Sequence, residues 1–278
     1  MIDKHEAGWV EALFTEGPLA CRTEALHRYA LLDCAFAPAC HAAIEASVRA
    51  DARRSLYQAT PNANQEVLRH SPMLLRLDAI ERPVLEHLLS FTDGLPMLSF
   101  LHSRDSLENL YRRLSGWCMV DADGQAFVLR FPDTRRLPDV LQVLTPQQLL
   151  QFCGSATLWH YRNRAARWET FTAADEVEVP PRFEFGLHRL DGDQCAALIA
   201  ASEPDQVLAR LLHLEPDHAA DHQPSTLHAL GVQAVAFADA LKLDALAQRV
   251  QLCAVLCRNP QLATTSLRDA ESLRALIA

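Results

Sequence analysis

The stretch 73–103, MLLRLDAIERPVLEHLLSFTDGLPMLSFLHS, decides the expected fold class of this chain. Residues 73–78 and 96–103 are mostly apolar runs of strand length. Between them, 82–90 sets Leu85, Leu88 and Leu89 at helical spacing. Parallel neighbours need a long crossover, whereas antiparallel neighbours can be joined by a two-residue turn. Strand, helix, strand at this spacing therefore predicts βαβ units and a substantially parallel sheet.

Upstream, 28–35 (RYALLDCA) is an apolar run interrupted near its end by Asp33, as in a strand buried on both faces. A short helix is predicted over 4–14 and a second over 38–50. Downstream, Ser103 stands where a helix N-cap belongs, with Asp105 in the first turn. Leu107, Leu110, Tyr111 and Leu114 form one face of the helix behind it. GWCMV (116–120) and AFVLRF (126–131) flank Asp121-Ala122-Asp123-Gly124, a strong hairpin signal. Thr145-Pro146-Gln147-Gln148 combines a Thr cap, Pro at the first helical position and a Gln that closes a capping box. ATLWHYRN (156–163) and RWETFT (167–172) read as a further hairpin.

The pattern turns helical near residue 185, with helices predicted over 194–201, 206–214, 226–241, 244–257 and 266–277. The expected fold is thus α/β: a mixed, largely parallel sheet flanked by helices over 1–185, then a small all-helical lobe over 186–278.

Composition narrows the functions. The 278 residues carry a formal charge of -9, which argues against a general nucleic-acid or anionic-membrane binder, since those need a basic face. No apolar run is long enough to span a bilayer. The opening MIDKHEAGWVEALF lacks the apolar segment of a secretory leader, so a cytoplasmic location and no membrane insertion are expected. Eight cysteines without a CxxC pair read as small buried hydrophobes of a reducing compartment.

The chain lacks GxSxG, GxxxxGK[ST], GxGxxG and HExxH motifs, and no catalytic residue, cofactor or metal is assigned. Three constellations remain. His218 and His222 would share one face if helical and could chelate zinc, but a polar inter-helix loop punctuated by Pro216 and Pro224 is the preferred reading. Cys34 and His102 each close a predicted strand. In a parallel sheet both would lie at the carboxyl edge, as a nucleophile and base of a hydrolase or transferase. The third is Arg130-Phe131-Pro132-Asp133-Thr134-Arg135-Arg136. Arg130 and Asp133 read as braces for the loop after the hairpin, because charges buried in a domain are usually paired. Arg135 and Arg136 are the candidates for touching a partner.

This run, with Tyr29–Asp33 (YALLD), Ser55-Leu56-Tyr57, Ser71-Pro72-Met73-Leu74-Leu75 and the segment from Ser103 to Leu114, resembles the type VI secretion effector adaptor (chaperone) family. That family has long been filed as domain of unknown function 4123. Its hallmark is an Arg-Phe/Tyr-x-Asp-Pro-Arg run after a hairpin; here Thr134 replaces the Pro, and Arg130, Asp133 and Arg135 keep their places. The resemblance spans about 25–175. It implies a non-enzymatic bacterial cytoplasmic adaptor that needs no cofactor. Such an adaptor binds a toxic effector encoded nearby and promotes its loading on a VgrG-type spike protein. Asp33, Ser103, Arg130 and Asp133 would then be structural motif positions.

Overall fold

A computed structural model describes residues 1–20, 25–58, 60, 63–175 and 188–264. It divides into two compact units, 1–195 and 196–278. The helix expected over 266–277 and the lobe boundary expected at 185/186 lie outside the described residues.

In the first unit the elements begin with α1 (Trp9–Thr15), β1 (His27–Asp33), α2 (Pro38–Ser47), β2 (Arg53–Ser55), α3 (Gln65–Arg69) and β3 (Pro72–Arg76). They continue with α4 (Arg82–Leu89), β4 (Leu98–Ser103), α5 (Leu107–Gly116), β5 (Met119–Ala122) and β6 (Gln125–Val128). Then come α6 (Leu137–Val143), α7 (Pro146–Cys153), β7 (Leu158–Arg162), β8 (Trp168–Thr172) and β9 (Arg189–Leu190). The first six-stranded sheet has the order β2-β3-β1-β4-β7-β8, and a second sheet the order β6-β5-β9.

Every pairing in the six-stranded sheet is antiparallel, which overturns the expected largely parallel sheet. The reason is local. The crossover through α4 does make β3 and β4 run the same way, but they are not neighbours. β1 lies between them and is antiparallel to both, with Leu31 opposite Leu74 on one side and Ser99 on the other. This is a split βαβ arrangement. A crossover helix fixes the relative direction of the strands it joins; it does not fix which strand fills the gap. The second sheet is mixed: β5 and β6 are antiparallel, β5 and β9 parallel.

Both faces of the large sheet are covered, so β1 is buried from Tyr29 to Asp33. One face packs Ala30, Leu32, Leu75, Leu98 and Phe100 against Leu13, Ile44, Leu85 and Leu88. The other carries Trp159, which donates to Ser99 at 3.0 Å and lies among Phe131 and Phe152. Behind Phe152 sits the fully buried Trp117, ring centroids 5.6 Å apart.

Two local expectations need correction. Ser103 does not cap α5. It ends β4, and its hydroxyl accepts from the Asp105 N–H at 3.2 Å. The cap is Ser106, whose side chain accepts from Asn109 N–H. The opening helix starts at Trp9 rather than Lys4. The β5–β6 hairpin and the Thr145/Gln148 capping box form as the sequence suggests. Asp123 (φ 51°) and Gly124 (φ 81°) both take the left-handed conformation that this two-residue hairpin turn requires.

The described part of the second unit is helical. α8 (Gly192–Leu214) begins at the end of the first unit and contains Pro204, where two separate helices were expected. α9 (His218–Asp221), α10 (Pro224–Ala240) and α11 (Leu246–Arg258) follow. Leu211, Ala234, Phe237, Leu252, Cys253 and Leu256 build the core. Arg249 clips it by donating to Glu203 and Asp239, both at 2.6 Å, and to the Leu243 carbonyl.

Candidate functional site

The Arg-rich run folds against the carboxyl end of β1, where it meets one carboxylate, Asp33, and brings another, Asp133, of its own. Asp33 is the last residue of β1 and almost fully buried; Asp133 is buried in the loop that leads to α6. Arg130 reaches across 97 positions of sequence to donate to Asp33 at 3.3 Å. Arg135 grips Asp133 with two bonds, Nε to Oδ1 at 3.0 Å and Nη2 to Oδ2 at 2.7 Å. Asp133 Oδ1 also accepts the Arg135 backbone N–H, and the Thr134 N–H is tied to the Pro96 carbonyl. Both guanidinium groups lie over the Phe36 ring, at 5.9 Å for Arg130 and 5.5 Å for Arg135.

The two pairs differ in what they leave exposed. Arg135 is mostly covered, and Arg130 keeps 48% of its side chain in solvent above a carboxylate that keeps 3%. Burial pushes the Asp33 carboxyl above its ordinary value; Arg130 and the Ala35 N–H pull it back. Arg136 stands 3.9 Å from Asp139. The sequence grouped Arg130 with Asp133 and Arg135 with Arg136. The structure instead pairs Arg130 with Asp33 and Arg135 with Asp133.

β6 leads into this cluster and is exposed along its whole length. Phe127 and Val128 keep 50% and 52% of their surface in solvent, although their neighbours Val120 and Leu129 are buried. The sequence marks this run as an apolar hairpin strand and does not say whether it is covered. An apolar strand on an open edge carries the same letters as a covered one.

A second polar centre is buried elsewhere in the first unit. Arg113 and Asp105 are buried together, Nε to Oδ2 at 2.9 Å, and Arg113 Nη1 also donates to the Leu150 and Gln151 carbonyls at the end of α7. Gly154, at φ +78°, leaves room for them; a Cβ there would stand 2.9 Å from Asp105 Oδ2. Nothing in the sequence marked Arg113, which sits inside an ordinary helical pattern.

Cys34 and His102 do not come together. Because β1 and β4 are antiparallel, Leu32 faces Leu98 and Arg28 faces His102, so the two residues lie toward opposite ends of the sheet. Cys34 and Cys40 are free, buried thiols in hydrogen-bond contact, and the Cys34 thiol is pushed up by that contact and by burial. His102 instead meets His160, ring centroids 5.0 Å apart. Each has a buried Nε2 without a hydrogen-bond partner. Burial holds both imidazoles below the usual histidine value, with Arg28 adding to this at His102; His160 falls to about 4. His5 also falls to about 4, through burial and then Arg162.

These three groups are neutral in the fold and take up protons when it opens. For His5 and His160 the contribution is present above the unfolded value near 6.5 and is lost as the pH falls toward 4, and His102 shifts in the same direction. Unfolding between pH 6 and pH 4.5 should therefore take up about one proton at each of His5 and His160, read as a falling melting temperature. A melting temperature that stays flat over that range in wild type, or falls as steeply in His160→Asn, would contradict this.

In the second unit His218 Nε2 contacts Glu215 at 3.0 Å, and His222 Nε2 contacts the Cys257 carbonyl at 2.9 Å. The two rings thus have separate partners. Among the described residues no group of three or more His, Cys, Asp or Glu is placed to hold a metal. Nor is any described helix long and apolar enough to cross a membrane.

Compared with known proteins, residues 28–151 match the model of the family described as domain of unknown function (DUF4123). The matched segment runs from β1 into α7 and takes in Asp33, Ser103, Arg113, β6, Arg130, Asp133, Arg135 and Arg136. No curated protein and no solved structure matches the chain.

Proposed function

Starting from a chain whose residues 28–151 carry a DUF4123 domain, we propose a protein-binding adaptor. It holds a toxic effector encoded nearby in the bacterial cytoplasm and promotes its loading on a VgrG-type spike protein. The adaptor role comes from the resemblance of the motif run to the type VI effector adaptors. One observation in the fold supports the protein-binding part: Phe127 and Val128 are exposed in succession on β6, one on each face of the strand, with half-exposed Arg130 two residues further on. An apolar strand left open at a sheet edge is a ready template for pairing with another chain. Arg130 and Asp133 are held in ion pairs with Asp33 and Arg135 in the segment that follows β6.

The test is co-purification of the whole chain with the product of each gene encoded beside it. The expected result is a complex with at least one of them that survives size-exclusion chromatography. A folded, monodisperse chain that retains none of these products contradicts the proposal.

A further inference from the structure

Among the described residues β6 is the last strand of its sheet, with β5 on its inner side. The two-residue turn makes Ala122 and Gln125 a pair that exchanges both backbone bonds. Antiparallel alternation then makes Val120/Phe127 and Cys118/Leu129 the next such pairs. The Leu129 N–H indeed donates to the Cys118 carbonyl at 3.0 Å. The N–H and C=O of Ala126 and Val128 therefore point outward. Among the described residues neither has a hydrogen-bond partner there. Natural edges are usually blunted by charge, proline or a bulge. Gln125-Ala126-Phe127-Val128 has no charge and no proline. Phe127 and Val128, as consecutive strand residues, face opposite sides of the sheet.

We infer that β6 is an open docking edge that accepts an extended segment of a partner protein as an added strand, an acidic residue of that segment facing Arg130. This rests on the protein-binding reading above. The occupant follows from size and charge. A four-residue strand paired with its own copy buries far less than the roughly 1,000 Å² expected of a specific interface, so a second copy is not the occupant. An extended segment needs less, because main-chain bonds supply affinity and alternate side chains supply specificity. The segment finds apolar contact on both faces. Just beyond the strand it finds the Arg130 guanidinium, which donates Nη2 to Asp33 and still keeps 48% of its side chain in solvent, open to a second carboxylate.

The experiment uses a phage-displayed library of random dodecapeptides panned against the whole chain. Enriched peptides should alternate β-branched or aromatic residues and carry an Asp or Glu. Ala126→Pro and Val128→Pro each delete one outward N–H and spare the ladder to β5. Each should weaken a selected peptide by about ten-fold or more, with circular dichroism and melting confirming the fold. Phe127→Ser supplies a variant without backbone change and should weaken the same peptides. Failure to enrich any peptide overturns the inference, as does equal binding by wild type and all three variants. The two readings fail separately. A gene-neighbour complex that forms equally with Ala126→Pro leaves the adaptor role standing and removes the edge. Peptide capture without any neighbour complex does the reverse.

Discussion

Arg113→Ala lowers the free energy of unfolding by about 3–5 kcal/mol, the range for breaking a buried ion pair from one side. The substitution leaves the Asp105 carboxylate without its guanidinium in a site that is 7% exposed. It also strips donors from the Leu150 and Gln151 carbonyls, where α7 ends. The Asp105 carbonyl accepts from the Tyr29 hydroxyl at 2.7 Å, so the damage reaches β1. Urea denaturation measures the effect. Arg113→Met fills the space but has no charge to offer, and should be nearly as destabilising. A loss below about 1 kcal/mol would mean that water reaches Asp105 and the pair is not buried as described.

Asp133→Ala comes next, with an expected loss of about 2–4 kcal/mol. It removes the acceptor of three bonds from Arg135, two from the guanidinium and one from the backbone N–H. Arg135 is then left largely covered above Phe36. Asp133→Asn keeps one acceptor and the shape, and should lose less. Arg135→Glu belongs to the same test, since it sets a second carboxylate beside Asp133. If the melting temperature of Asp133→Ala stays within a degree of wild type, Arg135 and Asp133 do not brace this loop.

The extent to which the sequence announced all this differs by element, for physical reasons. Local signals that close within a few residues were legible: the Asp123-Gly124 turn, the Thr145/Gln148 box and the burial of 29–33. Strand direction was not. Apolar pattern reports burial and period, and a strand from upstream can slip between two others without changing a letter of either. The misplaced cap at Ser103 shows a milder limit, as Ser106 offers the same hydroxyl three residues later. Among the candidate residues, the type of interaction was readable and the partner was not. Arg130 and Asp133 have the chemistry of ion-pair braces, but Asp33 lies 97 positions from Arg130. Cys34 and His102 were joined on paper by an assumed parallel sheet, and the antiparallel register separates them. The exposure of β6 was hidden because open edge and covered core use the same residues.

The most direct measurement is amide hydrogen exchange across β5 and β6, on the free chain and with a co-purified neighbour bound. If β6 receives an added strand, the Ala126 and Val128 amides, free of partners in the chain alone, exchange at least about ten-fold more slowly in the complex. The Phe127 amide, already bonded to β5, changes less. Unchanged exchange at Ala126 and Val128 in a fully bound complex would contradict the account.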